Sequence, residues 1–348
     1  MDSSRLTRHR GARWVALPVV ATLLLAASGA TIAASPDAGA SPGVEQPLDL
    51  AYLSFAIANS YDAPMLAAAQ GAAAAHNATI TVFDANNDPA AQTTQLQDAV
   101  AAGKYAGIIV QPIYGGGLVT DVQNAISQGI KVANIDQILG ADFTTAASQV
   151  DGLSANVVFV PSEMGRKFGE LTVKACADTN PCNVGYIYSV KASGLDGALR
   201  TAFDTAIAAN PAIKVVAEGE SFYTTALGLK AAQDMLQAHP DINVIIGADQ
   251  AITGALQAVD AAGVKGKVAL IGYGGGAVAL QGIAAGDRYA TVMQLPATEG
   301  RLGVEQLIQA IRTGTPVAGM DPLAALPDGG VVTKDNVAQF LTLAEWPG

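Results

Sequence analysis

The sequence predicts an α/β protein built from two doubly wound parallel sheets, and three observations carry that expectation. From Asp49 onward, an apolar run of five or six residues, a polar or glycine-bearing turn and an alanine-rich stretch of helical length recur in that order. The apolar runs are continuous rather than alternating, as in parallel strands covered by helices on both faces. Nine such units exceed one compact sheet, and the pattern breaks between Ile138 and Pro161, where Asp142–Ser148 is polar and Val157–Val160 is extended. Two sheets with a cleft between them follow.

The strands are expected at Leu50–Phe55, Ile80–Asp84, Gly107–Gln111 and Val132–Asp136, then at Val184–Tyr188, Val215–Glu218, Val244–Ala248, Val268–Tyr273 and Ala290–Gln294. Helices begin between them, near Ala63, Pro89, Leu118, Glu163, Leu195, Thr224, Gln250, Ala277 and Pro296. Pro89 suits a first helical turn, where its missing N–H removes no bond, and Asp88 before it suits the N-cap. Ligands of open parallel sheets sit beyond the carboxyl ends of the strands. Those ends hold Asn59 and Tyr61, Asn86 and Asp88, Gln111, Asp136, Tyr223, Asp249, Tyr273 and Gln294.

Composition narrows the function classes. Half of the 348 residues are hydrophobic and 14% are charged, which excludes disorder over most of the length. The formal charge of −11 supplies no basic face for a nucleic acid. Three histidines and two cysteines leave little material for a zinc site or a Cys- or His-based triad, so neither a metal nor a cofactor is expected.

The first residues differ in kind. Arg5, Arg8, Arg10 and Arg13 precede an uncharged apolar run from Trp14 to Ala27, with small residues through Ala34, the three-part order of an export signal. A spanning helix needs about 20 apolar residues, more than this run offers, so a membrane anchor is the weaker alternative. Ala30, Ala33 and Ala34 each suit cleavage; residues 1–33 are taken as the signal and 34–47, rich in Pro, Ser, Gly and Ala, as a flexible leader. Removing 1–33 leaves 15 basic and 29 acidic residues, a formal charge of −14. The expected compartment is therefore extracytoplasmic, periplasm or cell surface, and with no cysteine before Cys176 no lipid anchor on an N-terminal cysteine is expected. In an oxidising compartment Cys176 and Cys182, six positions apart across Ala-Asp-Thr-Asn-Pro, favour a disulfide over two free thiols.

Enzyme motifs are poorly represented. The first strand runs into Ala-Ile-Ala-Asn-Ser-Tyr-Asp rather than the glycine fingerprint of a dinucleotide site. The clusters Gly115–Gly117 and Gly274–Gly276 lack a following Lys-Ser/Thr and suit tight turns. No Gly-x-Ser-x-Gly elbow occurs, and His76 and His239 lie at helix ends. Asp136 and Asp249 remain a possible carboxylate pair facing across a cleft, the basis of a minor alternative as a secreted hydrolase.

Four segments, Asp84-Ala-Asn-Asn-Asp-Pro-Ala-Ala-Gln92, Ala133-Asn-Ile-Asp136, Leu236-Gln-Ala-His-Pro-Asp241 and Thr291-Val-Met-Gln-Leu-Pro296, give the chain a resemblance to a known family. From about Leu48 to Pro316 it resembles the ribose-binding-protein-like sugar receptors that feed ABC importers. The resemblance implies a type I periplasmic binding fold with a three-crossing hinge near Val150–Val160, Gln294–Pro296 and Asp321–Pro327. It divides the chain into an N-terminal lobe of 48–153 plus 296–321 and a C-terminal lobe of 154–295 plus 322–345. It implies a monomer that is not an enzyme, with a small neutral sugar, deoxy sugar, furanose or polyol as ligand and a membrane ABC permease as partner. A sensing subunit for a membrane receptor would share the same pocket.

Carried onto this sequence, the family pocket implies binding roles for Asn59, Tyr61, Asn86, Asp136, Tyr223 and Gln294, with Asp136 accepting from two hydroxyls and Tyr61, Tyr223 and Tyr273 stacking on apolar sugar faces. Gln137, Arg200 and Asp249 complete the expected set. The departures matter as well. Gln137 stands where the family commonly has arginine, Thr225 where a second arginine follows the stacking ring, Ala248 where asparagine is frequent and Gly274 where aspartate is common; Arg200 lies one position out of register with the remaining pocket arginine. Several charged grips on a pyranose are lost.

Overall fold

The computed structural model describes residues 45–348. The expected export signal 1–33 and leader residues 34–44 lie outside the described residues, and Glu45, Gln46 and Pro47 are exposed and without regular structure.

The first lobe winds β1 (Leu48–Ser54), α1 (Asp62–Ala75), β2 (Ala78–Asp84), α2 (Pro89–Ala102), β3 (Gly107–Val110), α3 (Gly115–Ser127), β4 (Lys131–Asp136) and β5 (Ala155–Val158) into one parallel sheet of order β2-β1-β3-β4-β5. β1, β3, β4 and β5 are buried on both faces, their successive side chains pointing to opposite covered sides, while edge strand β2 is mostly part-exposed. Leu50 and Tyr52 pack with Met65 of α1 on one side, while Ala51 and Leu53 pack with Leu96 of α2 and Leu118 of α3 on the other. Asp88 caps α2 as expected, its Oδ1 accepting from the N–H of Ala90 at 2.8 Å and of Ala91 at 3.2 Å.

The chain then builds a second lobe from α4 (Pro161–Ala175), β6 (Cys182–Tyr188), α5 (Gly194–Ile207), β7 (Ile213–Glu220), α6 (Thr225–Ala238), β8 (Ile242–Ala248), α7 (Asp249–Ala261), β9 (Ala269–Gly274), α8 (Ala277–Ala285) and β10 (Ala290–Met293). Its sheet, β11-β10-β9-β8-β6-β7, repeats the first lobe's winding with one addition: β11 (Val331–Thr333) closes the edge antiparallel to β10. That short strand, supplied from far along the chain, has no expected counterpart. Cys176, at the end of α4, and Cys182, at the start of β6, form the expected disulfide. It closes a short loop, so its chain-entropy contribution is about 2–2.5 kcal/mol.

Three segments join the lobes. The first leaves β5 and enters α4 through Phe159 and Val160. The second leaves β10 at Gln294 and enters α9 (Pro296–Thr313), which returns to the first lobe and packs Val304 and Leu307 beside Tyr52 and Ile135. The third runs beside β5, where the N–H of Met320 donates to Asn156 O at 2.9 Å and that of Val158 to Met320 O at 3.1 Å, and then passes through Asp321 into the second lobe. The boundary expected after residue 153 therefore shifts beyond β5: Ala155–Val158 pair with Ala133–Asp136 of β4 and so belong to the first sheet. α9 lies close enough to α1 that a Cβ on Gly300 would stand 2.1 Å from Met65 O, so only glycine permits the approach.

One expected turn is a helix start. Gly115–Gly117 opens α3 instead of forming a loop, and a Cβ at Gly115 would fall 2.0 Å from Ile138 O. Gly274 and Gly275, with φ of 135° and 66°, do form the expected turn after β9.

Candidate functional site

The strand ends of both lobes face one shared space. The first lobe contributes Phe55, Asn59, Tyr61, Asp62, Asp136 and Gln137. The second contributes Leu195, Tyr223, Gln250 and Tyr273, the crossing segments Phe159 and Gln294, and the tail Trp346. The lobes meet around it: the rings of Phe55 and Tyr223 lie edge to face 6.5 Å apart, and those of Tyr61 and Trp346 at 5.5 Å.

Backbone geometry aims the first lobe's side chains. Asn59 Oδ1 accepts from the N–H of Tyr61 at 2.8 Å, an Asx turn that delivers Tyr61 to the start of α1 and Asp62 to its first turn. Asp136 ends β4 in the left-handed region, with φ of 68°, which swings its carboxylate out of the sheet. Asn134 braces that turn, donating to Gln137 O at 2.8 Å and to Asn156 Oδ1 at 2.9 Å. Gln111, fully buried at the end of β3, accepts from the N–H of Phe55 at 3.2 Å and donates to Asp62 Oδ1 at 2.6 Å and Asp136 Oδ2 at 3.1 Å. Gln92 holds Gln111 in turn, through a 2.8 Å bond to its carbonyl.

In the second lobe Phe222 and Tyr223 adopt φ of 47° and 55°, bulky residues in a conformation they rarely occupy. The fold enforces it: Phe222 N–H donates to Ser189 O at 2.8 Å, and Thr224 caps α6 through Leu227 N–H at 3.3 Å. Strain of this kind is found at binding sites, where surrounding structure over-determines the loop. Tyr273 shares a 2.6 Å hydrogen bond with Ser189 Oγ, and Trp346 Nε1 donates to Gly274 O at 2.8 Å.

The first lobe's half of the cavity is acidic. Burial pushes the Asp62 carboxyl up to about 8, with the Asp136 charge adding to the effect. Burial also raises Asp136 to about 7, against the opposing hydrogen bond from Gln111. Glu299, in the first turn of α9, is fully buried behind Tyr61, whose hydroxyl donates to its Oε2 at 3.4 Å; burial and the neighbouring acids raise it well above the usual range.

Seven of the ten residues singled out from the sequence line this one cavity: Asn59, Tyr61, Asp136, Gln137, Tyr223, Tyr273 and Gln294. Three do not. Asn86 is exposed in the turn after β2, at φ of 48°, where its N–H donates to Asp84 Oδ1 at 3.0 Å. Arg200 lies further along α5, held by Asp204 at 2.8 Å, by the Tyr188 hydroxyl at 2.7 Å and by Glu218, whose carboxyl is lowered to about 2 chiefly by its bond from Lys191. Asp249 is buried and serves the fold. It accepts from Gly275 N–H at 2.7 Å and Thr291 Oγ1 at 3.0 Å, and it faces buried Arg288 at 3.4 Å. With Asp249 so engaged, the carboxylate pair expected with Asp136 does not form across the cleft.

The residues not anticipated have graded signals. Phe55 directly follows β1, and Asp62 directly follows Tyr61, so both were adjacent to expected positions. Gln250 takes the place expected of its neighbour Asp249 through one step of helical register, and α5 reaches the cavity through Leu195 at its start rather than through Arg200 further along. Trp346 carries no local signal, because its place depends on the tail returning to β9.

Two wound lobes, a three-segment hinge and a lined cleft at their strand ends define a bilobed solute receptor. The sequence matches the periplasmic binding protein domain over residues 50–316, and the chain belongs to that family. It is 25% identical over 233 residues to the ribose import binding protein of Bacillus subtilis, covering 65% of this chain and 69% of that protein. It is 28% identical over 258 residues to the D-allose-binding periplasmic protein of Escherichia coli, covering 70% and 77%. Among solved structures, an ABC transporter solute-binding protein from Mycobacterium smegmatis with bound glycerol superposes with a TM-score of 0.73 at 24% identity, covering 87% of this chain and all of that one.

Proposed function

We propose that the protein is the extracytoplasmic receptor of an ABC importer and that its lobes close on one small polyhydroxylated ligand, a sugar, deoxy sugar, furanose or polyol. The observation that carries this reading is the cavity itself: both lobes line it, with aromatic rings beside hydrogen-bonding groups. Rings cover the apolar faces of a sugar while carboxylates and amides take its hydroxyls. Asp136 accepts from ligand hydroxyls, Asn59, Gln137, Gln250 and Gln294 supply amides, and Tyr61, Tyr223 and Tyr273 supply rings. The family and the ribose and allose receptors among its relatives support the same class of ligand, a binding role without turnover, and delivery to a membrane permease. Closure follows from differential affinity, since a ligand touches both lobes only when they meet.

A thermal-shift screen of sugars, polyols and small metabolites tests this. A true ligand at a hundred times its Kd adds about 2.7 kcal/mol of stability, and it is recovered unchanged. A screen in which no polyhydroxylated compound shifts the transition, or in which one is converted to product, contradicts the proposal.

A further inference from the structure

The cavity holds acid without base. Asp62 and Asp136 both line it, each only 5% exposed, and they share the single side-chain amide of Gln111. Glu299 stands behind Tyr61, fully buried, and its Oε1 has no hydrogen-bond partner among the described residues. No lysine, arginine or histidine is among the lining residues. Among the described residues, the other titratable groups facing these carboxyls are Tyr52, Tyr61, Tyr223, Asp84, Asp321 and Glu345, all acids. Lys167 lies beside Asp321, and buried Arg288 is engaged by Asp249 and Thr253.

A buried carboxyl ionises only beside a counter-charge and otherwise keeps its proton, and among the described residues no cation faces this pair. The second lobe lines the same space with the rings of Tyr223 and Tyr273, and Phe55 and Trp346 line it as well. Carboxylates and aromatic rings around one small space are the surroundings that favour an ammonium group, through charge-assisted hydrogen bonds and attraction to the ring faces. From this juxtaposition we infer that the ligand carries a protonated amine as well as hydroxyls, as an amino sugar or amino polyol does, with the nitrogen held between Asp62 and Asp136. The inference rests on the receptor reading above and replaces the neutral ligand expected from the sequence with a cationic one.

Calorimetry on the whole protein at neutral pH, with matched pairs, tests it: D-glucosamine against D-glucose, 1-amino-1-deoxy-D-sorbitol against D-sorbitol, and 2-amino-1,3-propanediol against glycerol. The expected result is that in at least one pair the amine binds at least about tenfold tighter than its alcohol. Binding of 1-amino-1-deoxy-D-sorbitol also releases protons, seen as different heats in phosphate and Tris, as the carboxyls ionise beside the cation. In Asp62→Asn the amine-to-alcohol ratio falls at least about fivefold; if that variant does not fold, proton release by the unaltered protein decides. Alcohols binding as tightly as their amines overturn the inference and leave the receptor reading intact. A tighter amine with no proton release and an unchanged ratio in the variant overturns it as well. Failure of every pair, amine and alcohol alike, overturns the inference and leaves the receptor reading to the thermal-shift screen.

Discussion

Asp136→Ala weakens ligand binding at least about tenfold, and Asp136→Asn falls between it and the unaltered protein. A hydrogen bond to a charged acceptor is worth roughly 1.5–3 kcal/mol, and about 1.4 kcal/mol is a factor of ten in Kd. Asp136 lines the cavity, and the protein hydrogen bond to its carboxylate comes from Gln111, to Oδ2. Alanine removes that acceptor and leaves the Gln111 amide serving Asp62 alone. Asparagine keeps one neutral acceptor and loses the charge, hence the graded series. Calorimetry with the compound giving the largest thermal shift measures it, and unchanged affinity in Asp136→Ala removes this residue from the site.

The second large effect concerns the empty protein. Its stability falls as pH rises from about 4 to about 8, and Asp62→Asn flattens that decline by about 2 kcal/mol between mildly acidic and mildly basic pH. The sign follows from the direction of the shift. Burial raises the folded Asp62 carboxyl from 3.8 to about 8, so across that window the folded state keeps a proton that the unfolded chain has released. Rising pH therefore favours unfolding, and stability is fullest below the unfolded value. Asp136, raised to about 7, acts in the same direction, as do the raised carboxyls of Glu299, Asp196, Asp249 and Asp321, so the variant retains part of the slope. Urea unfolding of both proteins along a pH series measures it; parallel curves for the two would show that Asp62 ionises freely in the folded state.

Both effects come from residues that the sequence exposed unequally, and the reason is physical. Strands were legible because runs such as Leu50–Leu53 and Val244–Ile246 are buried on both faces, so apolar continuity survives in the sequence. Asp136 was legible because it stands at the end of a parallel strand, where ligands of such sheets bind, and its φ of 68° turns the carboxylate out of the sheet. Asp249 also ends a strand, yet its partners Gly275, Arg288 and Thr291 come from the following turn and strands, more than 20 residues away, and they draw it into the fold. Arg200 turned toward Glu218 for the same reason: a charge nearby in space and remote in sequence fixed its direction. Trp346 and Glu299 belong to segments that reach the site only through the hinge, so the pairing that places them is a property of the folded chain.

The most direct test is a crystal structure of the protein grown with the compound that stabilises it most. The expected result is one intact molecule between the lobes, with Asp136 within hydrogen-bond distance of it and the Tyr223 and Tyr273 rings against its opposite side. A molecule bound elsewhere, a cleaved product, or a ligand in the cleft that Asp136 does not touch would contradict it.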